Sequence, residues 1–388
     1  MRIAVVGPAF PYKGGGAHHT TELAHRLGAA GHTVVIESWR AQYPGFLYPG
    51  QQTISDPEGE PFAGTRHRLD WRRPDGWWRT GRGLGSYDLV VLAVLSPVQV
   101  PSYLGILAGL GRRAPVVALC HNVLPHERKP YDRPLMKALL GRVNGILVHS
   151  DEQAGLARGL TARPVRVAEM PAHLPSPAPS AGSDGLAAPA SAPAPGPARD
   201  GGTARRLLFF GMVRPYKGLD VLLRALAAGP EDVSLTVAGE FWGGLDETRA
   251  LIGELGLAGR VELRPGYVPA AEVPELFAAA DALVLPYRAA TASQNVWMAY
   301  EHGVPVIATS VGGFAGQVRD GVDGLICEPD DVASLTGALT RFYAPGEPER
   351  LRAAVDRVDH GPVWTTYLET LLAGTDSGPA VTAGVRRS

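Results

Sequence analysis

Arg206-Leu-Leu-Phe-Phe-Gly-Met-Val-Arg-Pro-Tyr-Lys-Gly-Leu-Asp-Val-Leu-Leu223 passes from an apolar run to a glycine, two cations and a second glycine. Leu207 to Phe210 reads as a buried parallel strand that breaks at Gly211. After Gly218 the spacing of Leu219, Leu222, Leu223 and Leu226 predicts an amphipathic helix. Arg214 and Lys217 thus fall between the carboxyl end of a strand and the N-terminus of a helix, where open α/β sheets bind ligands. A diphosphate is the guest that such a turn suits, Arg clamping it bidentately and Lys adding a point charge. The plainer alternative is a solvated charged turn.

Outward from this stretch the alternation repeats. On its C-terminal side, strand-like runs at 234–238, 261–263, 282–285 and 304–308 alternate with helices near 246–255, 271–280, 292–302 and 332–343. On its N-terminal side, residues 176–204 are nearly all Ala, Pro, Ser and Gly and read as a flexible linker. Before the linker, a strand over 2–6, Gly14-Gly-Gly16, a helix over 17–29 and a strand over 33–36 form a βαβ unit. Further strands are expected at 88–94, 115–120 and 145–148. The fold class is α/β, with two doubly wound, Rossmann-like domains at 1–175 and 205–362 and a cleft expected between them. A last amphipathic helix over 363–374 is followed by a polar tail over 375–388, expected to be disordered.

The 388 residues carry a net charge of -1, so no global basic field favours nucleic acid. Cys120 and Cys327 stand in apolar contexts without metal-ligand spacing and read as buried thiols of a reducing compartment. With no secretion signal and no bilayer-length apolar run, the expectation is a cytoplasmic protein, peripheral membrane contact remaining open.

A nicotinamide site is weighed first, because Glu37 follows the second strand of the glycine-rich βαβ unit. The G-x-G-x-x-G fingerprint fails: Gly7 lacks its partners, and Gly14-Gly-Gly16 comes a full loop later. The two halves resemble instead family 4 of the retaining nucleotide-sugar glycosyltransferases, which have the GT-B fold. The resemblance rests on Gly15-Gly16 at the first helix start, on Val116-Val-Ala-Leu-Cys-His121 followed by Asn122-Val-Leu-Pro-His-Glu127, and on Lys217-Gly218. It rests also on Gly239-Glu240, Tyr267-Val268 and the strand Asp281-Ala-Leu-Val-Leu-Pro286. It covers the chain except the linker and tail.

What the resemblance implies is a metal-independent retaining transferase without a cofactor, its nucleotide-sugar donor bound by the second domain and its acceptor presented by the first. His121, Arg214 and Lys217 would be catalytic. Gly15, Gly16, Gly239, Glu240, Val268, Ser293, Gln294, Asn295 and Glu301 would contact the donor. His18, His19 and His126 would line the acceptor side, where a solvated loop is an equal reading for His126. The last helix would cross back onto the first domain.

Two departures stand out. The family's arginine would fall at Met212, two residues before Arg214. The family's two glutamates, separated by seven residues, would fall at Ala290 and Met298, while Thr291-Ala-Ser-Gln-Asn295 resembles a Thr-Gln-Ser-Gly variant of some relatives. Glu301 lies one helical turn beyond Met298 and is the remaining acidic candidate for the ribose.

The histidines at 18, 19, 25 and 32 show no metal-ligand spacing. Arg66-His-Arg-Leu-Asp-Trp-Arg-Arg-Pro-Asp-Gly-Trp-Trp-Arg79 reads either as a loop packed on the first domain or as a stretch suited to lipid headgroups or an acceptor. Two other functions fit the same scaffold. One is a nucleotide-sugar 2-epimerase, which would want carboxylates where Ala290 and Met298 stand. The other is a non-catalytic sugar-nucleotide-binding partner, supported by the missing glutamates.

Overall fold

A computed structural model describes residues 1–45, 51–125, 127–173, 205–290, 293–356 and 359–373. The linker expected at 176–204, the tail at 375–388, His126 and Thr291-Ala292 lie outside the described residues. The chain divides into two compact units. The first takes residues from 1–57, 61–174 and 359 onward; the second takes 58–60 and 175–358. The change back to the first unit thus comes at 359, where the sequence reading puts it at 363.

The first unit contains β1 (Arg2–Val6), α1 (Gly15–Ala29), β2 (Thr33–Ala41), β3 (Thr65–Asp70), α2 (Pro74–Gly83), β4 (Leu89–Val94), α3 (Val100–Leu110) and β5 (Val116–Cys120). It continues with α4 (Asp132–Leu140), β6 (Gly145–Val148), α5 (Asp151–Arg158) and β7 (Val165–Val167). Its parallel sheet has the order β3-β2-β1-β4-β5-β6-β7. Central strands are apolar on both faces because helices cover both: β4 is buried at every residue. One face carries a core that includes Val35, Trp39, Tyr103, Ile106 and Met136.

The opposite face packs Ile3, Val5, Leu119 and Leu147 against Leu23 and Leu27 of α1 and against Trp364, Tyr367 and Leu371. Those last three belong to the final helix of the chain, Gly361–Leu372, which closes this face. Trp364 Nε1 donates to the Ala172 carbonyl at 3.0 Å.

The second unit contains β8 (Arg205–Phe210), α6 (Leu219–Ala228), β9 (Val233–Gly239), α7 (Leu245–Glu254), β10 (Val261–Pro265), α8 (Val273–Ala279) and β11 (Ala282–Leu285). It ends with α9 (Gln294–Glu301), β12 (Val306–Thr309), α10 (Phe314–Gln317), β13 (Gly324–Cys327), α11 (Val332–Phe342) and α12 (Glu347–Ala353); the final helix of the first unit is then α13. The strand order is β10-β9-β8-β11-β12-β13, all parallel. In both units the order reverses beside the first strand, β1 or β8, which creates a switch point where loops diverge. Both cysteines are buried free thiols.

The segment over 66–79, for which a packed loop is one of the two sequence readings, contains the end of strand β3 and the start of helix α2. β3 hides from pattern reading because it is a polar edge strand. α2 hides because it closes on α3 through glycines. A Cβ on Gly81 would sit 2.0 Å from the Ile106 carbonyl oxygen, and one on Gly109 would sit 2.0 Å from that of Trp78.

Candidate functional site

In the second unit the predicted cations occupy the loop between β8 and α6. Arg214 adopts extended backbone as the N-cap of a short 3₁₀ turn, Pro215–Lys217. Gly218 then takes φ +67°, and a Cβ there would meet the Pro286 carbonyl oxygen at 2.0 Å. A left-handed, backbone-crowded position of this kind admits only glycine. The turn is held from outside by Arg288: its N–H donates to the Tyr216 carbonyl at 2.7 Å and its guanidinium to the Pro215 carbonyl at 2.8 Å. Asp220 and Asp330 fix that guanidinium, at 2.7 and 2.8 Å.

Lys217 is 8 % exposed. Its Nζ lies 5.1 Å from the centroid of the Tyr287 ring. Burial pulls its pKa below the ordinary lysine value, and the charge of Arg214 lowers it further. Among the described residues no carboxylate pairs with this ammonium. Arg214 is half-buried, its guanidinium 5.0 Å from the Trp242 ring centroid. Two cations side by side, one of them buried, form a place prepared for an anion.

Donors and a tight backbone surround the pair. Ser293 caps α9 by accepting from the Asn295 N–H at 3.3 Å, and Asn295 Nδ2 donates to the Phe210 carbonyl at 2.9 Å. A Cβ on Gly211 would lie 3.3 Å from that Nδ2 and 3.8 Å from Lys217 Nζ, so Gly211, Lys217 and Asn295 converge. Tyr287, at the end of β11, hydrogen-bonds Ser293 and Asn295, while burial raises its pKa. Gln294 begins α9 and is half-buried.

Gly239 ends β9 with φ +152°, and a Cβ there would meet the Gly211 carbonyl oxygen at 1.9 Å. The Glu240 carbonyl accepts from the Val213 N–H at 2.7 Å, binding the loops after β8 and β9 together. Val268 is half-buried in the loop after β10, which is tied in by the Gly266 N–H donating to the Gly239 carbonyl at 3.1 Å.

Glu301 is not brought into this group. It is the exposed last residue of α9, about 10 Å along the axis from the capped end at 1.5 Å per residue. One face of a helix is not one end of it. Tyr287 and Arg288 were missed by the sequence reading, although their position directly after a strand end was a usable signal.

In the first unit α1 begins at Gly15 behind Gly14, whose φ is +86°. A Cβ on Gly16 would meet the Leu95 side chain at 2.6 Å, and one on Gly15 would lie 3.5 Å from His173 Nε2. His18 is half-buried on α1 and His19 is fully buried. The ring of His19 lies 4.8 Å from that of His121, 5.1 Å from His173 and 6.2 Å from His149, centroid to centroid. Trp364 stacks on it at 5.7 Å.

Burial holds all four histidines below the ordinary value, to about 4 for His149 and about 3 for His173; mutual repulsion adds to this for His19, His121 and His173. They are neutral imidazoles. His19 leaves both ring nitrogens without a hydrogen bond, and His121 and His149 leave Nε2 so. Among the described residues no group of three or more His, Cys, Asp or Glu is placed to hold a metal ion. The sequence reading found His19 and His121 but not His149 and His173. A signal existed for His149, since it directly follows β6 as His121 directly follows β5.

Two parallel α/β units, one bearing a cation turn at its switch point and the other a histidine-lined strand end, describe a GT-B architecture. Solved structures agree. Sucrose-phosphate synthase from Thermosynechococcus elongatus superimposes with a TM-score of 0.66 at 18% identity, over 96% of this chain and 99% of that one. The Anabaena protein HepE in complex with UDP-glucose gives a TM-score of 0.68 at 17% identity, over 96% and 100%. Residues 13–171 match the family model described as Glycosyltransferase Family 4, and residues 204–344 the one described as Glycosyl transferases group 1. The chain belongs to the family 4 glycosyltransferases.

Among curated relatives, the D-inositol 3-phosphate glycosyltransferase of Mycolicibacterium vanbaalenii is 31% identical over 183 residues, 44% of this chain and 40% of that one. That of Actinosynnema mirum is 34% identical over 179 residues, 43% of each chain. The match thus spans about two fifths of the length of these relatives. Among the described residues no helix is long and apolar enough to cross a membrane.

Proposed function

We infer that the protein transfers a glycosyl group, with retention, from a nucleotide-diphosphate sugar to a hydroxyl acceptor. The observation that carries this is the buried Lys217 ammonium beside Arg214, without a carboxylate partner among the described residues, at the switch point of the second sheet. Breaking the bond between the anomeric carbon and the phosphate oxygen throws negative charge onto the diphosphate. Fixed cations and the capped start of α9 stabilise that charge in the transition state, each donor by roughly 2.7–4 kcal/mol. The acceptor hydroxyl attacks on the face the diphosphate leaves, and the departing phosphate oxygen takes its proton, so configuration is kept. Neither a metal nor a cofactor enters this scheme.

Gly211, Gly239, Glu240 and Val268 would frame the donor, and Ser293, Gln294 and Asn295 would serve its phosphates. His18 and the helix start at Gly15-Gly16 would serve the acceptor side and His121 would hydrogen-bond the sugar or the phosphate, whereas His19, expected on the acceptor side, is fully buried among rings and packs behind them. HepE has been solved with UDP-glucose, which makes a uridine donor the first to assay. The name of the curated relatives makes a phosphorylated polyol the first acceptor.

The test is Lys217→Ala in a sugar-transfer assay with chelator present. Turnover should fall by about 10²–10³ with folding intact, and NMR of the wild-type product should show the anomeric configuration of the donor. Near-normal turnover of Lys217→Ala would remove the leaving-group assignment. An inverted product, or dependence on added metal, would remove the rest of the scheme.

A further inference from the structure

A cavity of the first unit is lined by none of the residues of the α1 start and none of the histidines. It is about 680 Å³ and opens between the edge strand β3, its neighbour β2 and helix α2. Its lining holds six arginines, Arg40, Arg66, Arg68, Arg72, Arg73 and Arg79, against two carboxylates, Glu37 and Asp70. A third carboxylate, Asp75, pairs with Arg73 at 3.0 Å and with Arg79 at the rim. Three positive charges remain in excess. In a chain whose net charge is -1, that is a strong local field.

Two of the guanidinium groups are held by bidentate pairs. Asp70 holds Arg72 bidentately at 3.0 and 2.8 Å, and Asp75 holds Arg73 at 3.1 and 3.0 Å. Planar forks fixed from behind present their outer N–H groups to a tetrahedral anion.

Glu37 supplies the second observation. Its side chain is 2 % exposed, and Oε1 takes Arg66 at 3.2 Å and Arg68 at 3.8 Å. Oε2 is buried without a hydrogen-bond partner, although the residue lines the cavity. An unpartnered buried carboxylate oxygen wants an O–H or N–H donor. An anion alone would not satisfy it.

We propose that this cavity is a binding site for a polyhydroxylated phosphate ester, the phosphate held by the arginines and a hydroxyl donated to Glu37 Oε2. The site is separate from the groups assigned to glycosyl transfer. It lies on the sheet face that carries Trp39 and Tyr87, whereas α1 packs on the other. β1 and β4 stand between β2 and β5, which puts the cavity about 14 Å across the sheet from the strand ending at His121, at 4.8 Å per strand.

The ester can reach the cavity as a free sugar phosphate or as a lipid headgroup. Calorimetric titration of the full chain, with saturating UDP present, uses glucose 6-phosphate, inorganic phosphate and glucose as probes. Saturable binding of glucose 6-phosphate is expected, at least tenfold tighter than inorganic phosphate, with none for glucose. Arg40→Ala combined with Arg68→Ala changes two exposed side chains and should weaken it at least tenfold without moving the melting temperature. Glu37→Gln should abolish the preference over inorganic phosphate while leaving phosphate binding in place.

Flotation with phosphatidylinositol vesicles, competed by soluble glycerophosphoinositol, separates the sources: binding lost on competition and in the double arginine variant assigns a headgroup. Vesicle binding that the soluble headgroup does not compete would mean a diffuse charged surface and overturn the proposal. So would absence of glucose 6-phosphate binding, or binding unchanged in the arginine variant. Equal losses for both phosphates in Glu37→Gln would overturn the part given to Glu37.

Discussion

Gly218 and Lys217 are adjacent, and their costs are of different kinds. Gly218 holds a left-handed turn against the Pro286 carbonyl, so Gly218→Ala adds backbone strain and a clash. It is expected to destabilise the protein by about 1–3 kcal/mol, read as a shift in urea midpoint at constant slope. Lys217 costs stability because burial works against its charge. Lys217→Met should therefore raise the melting temperature while turnover falls; a lowered melting temperature would contradict the argument.

The buried histidines set a pH dependence. His149 has a folded pKa of about 4 against an ordinary 6.5, so between those values the unfolded chain binds a proton that the folded one refuses. Their contribution is whole above about pH 6.5 and is lost as pH falls toward 4. His149→Phe, which keeps the stack on Tyr367, should flatten the stability profile over that window. An unchanged slope in chemical denaturation at pH 4.5 and 7 would show that the cluster does not control it.

At the scale of elements, β1, β6 and β11 have the bounds that their apolar runs predict, because a parallel strand buried on both faces announces itself. The strand over 33–36 runs on to Ala41. β3, β7 and β13 were not read. β3 alternates charge with charge at an edge, and β7, Val165–Val167, is too short for a period. The cation turn was legible because glycines and charges bracket a strand and a helix. The histidine cluster was only half legible, since His149 and His173 join it through tertiary packing.

The same limit explains α2, whose glycines matter for the carbonyls they approach on α3. Gly81→Ala would drive a methyl into the Ile106 carbonyl and is expected to cost about 1–3 kcal/mol. Because α2 forms one wall of the arginine cavity, glucose 6-phosphate binding should weaken with it; calorimetry and urea melts of one preparation check both.

For the molecule as a whole, each unit has its own core, and α13 belongs to the first one although it follows the second in the chain. A fragment of residues 205–356 should fold alone. A fragment of residues 1–175 should not reach full stability, since it exposes the face that Trp364, Tyr367 and Leu371 cover. Trp364→Ala in the full chain is expected to cost about 3–5 kcal/mol, read by tracking first-unit melting. Loss of the second-unit signal with an unaffected first unit would contradict this assignment of α13.

That late helix also bears on synthesis. Polypeptide leaves the ribosome from its amino end, so the domain begun first is the one finished last, after its neighbour has already had time to close. Until Trp364 emerges, an oily sheet face stands open. A stalled or prematurely terminated translation product should therefore be recognised by chaperones and proteases through its amino-terminal half, however well its carboxyl-terminal half has folded.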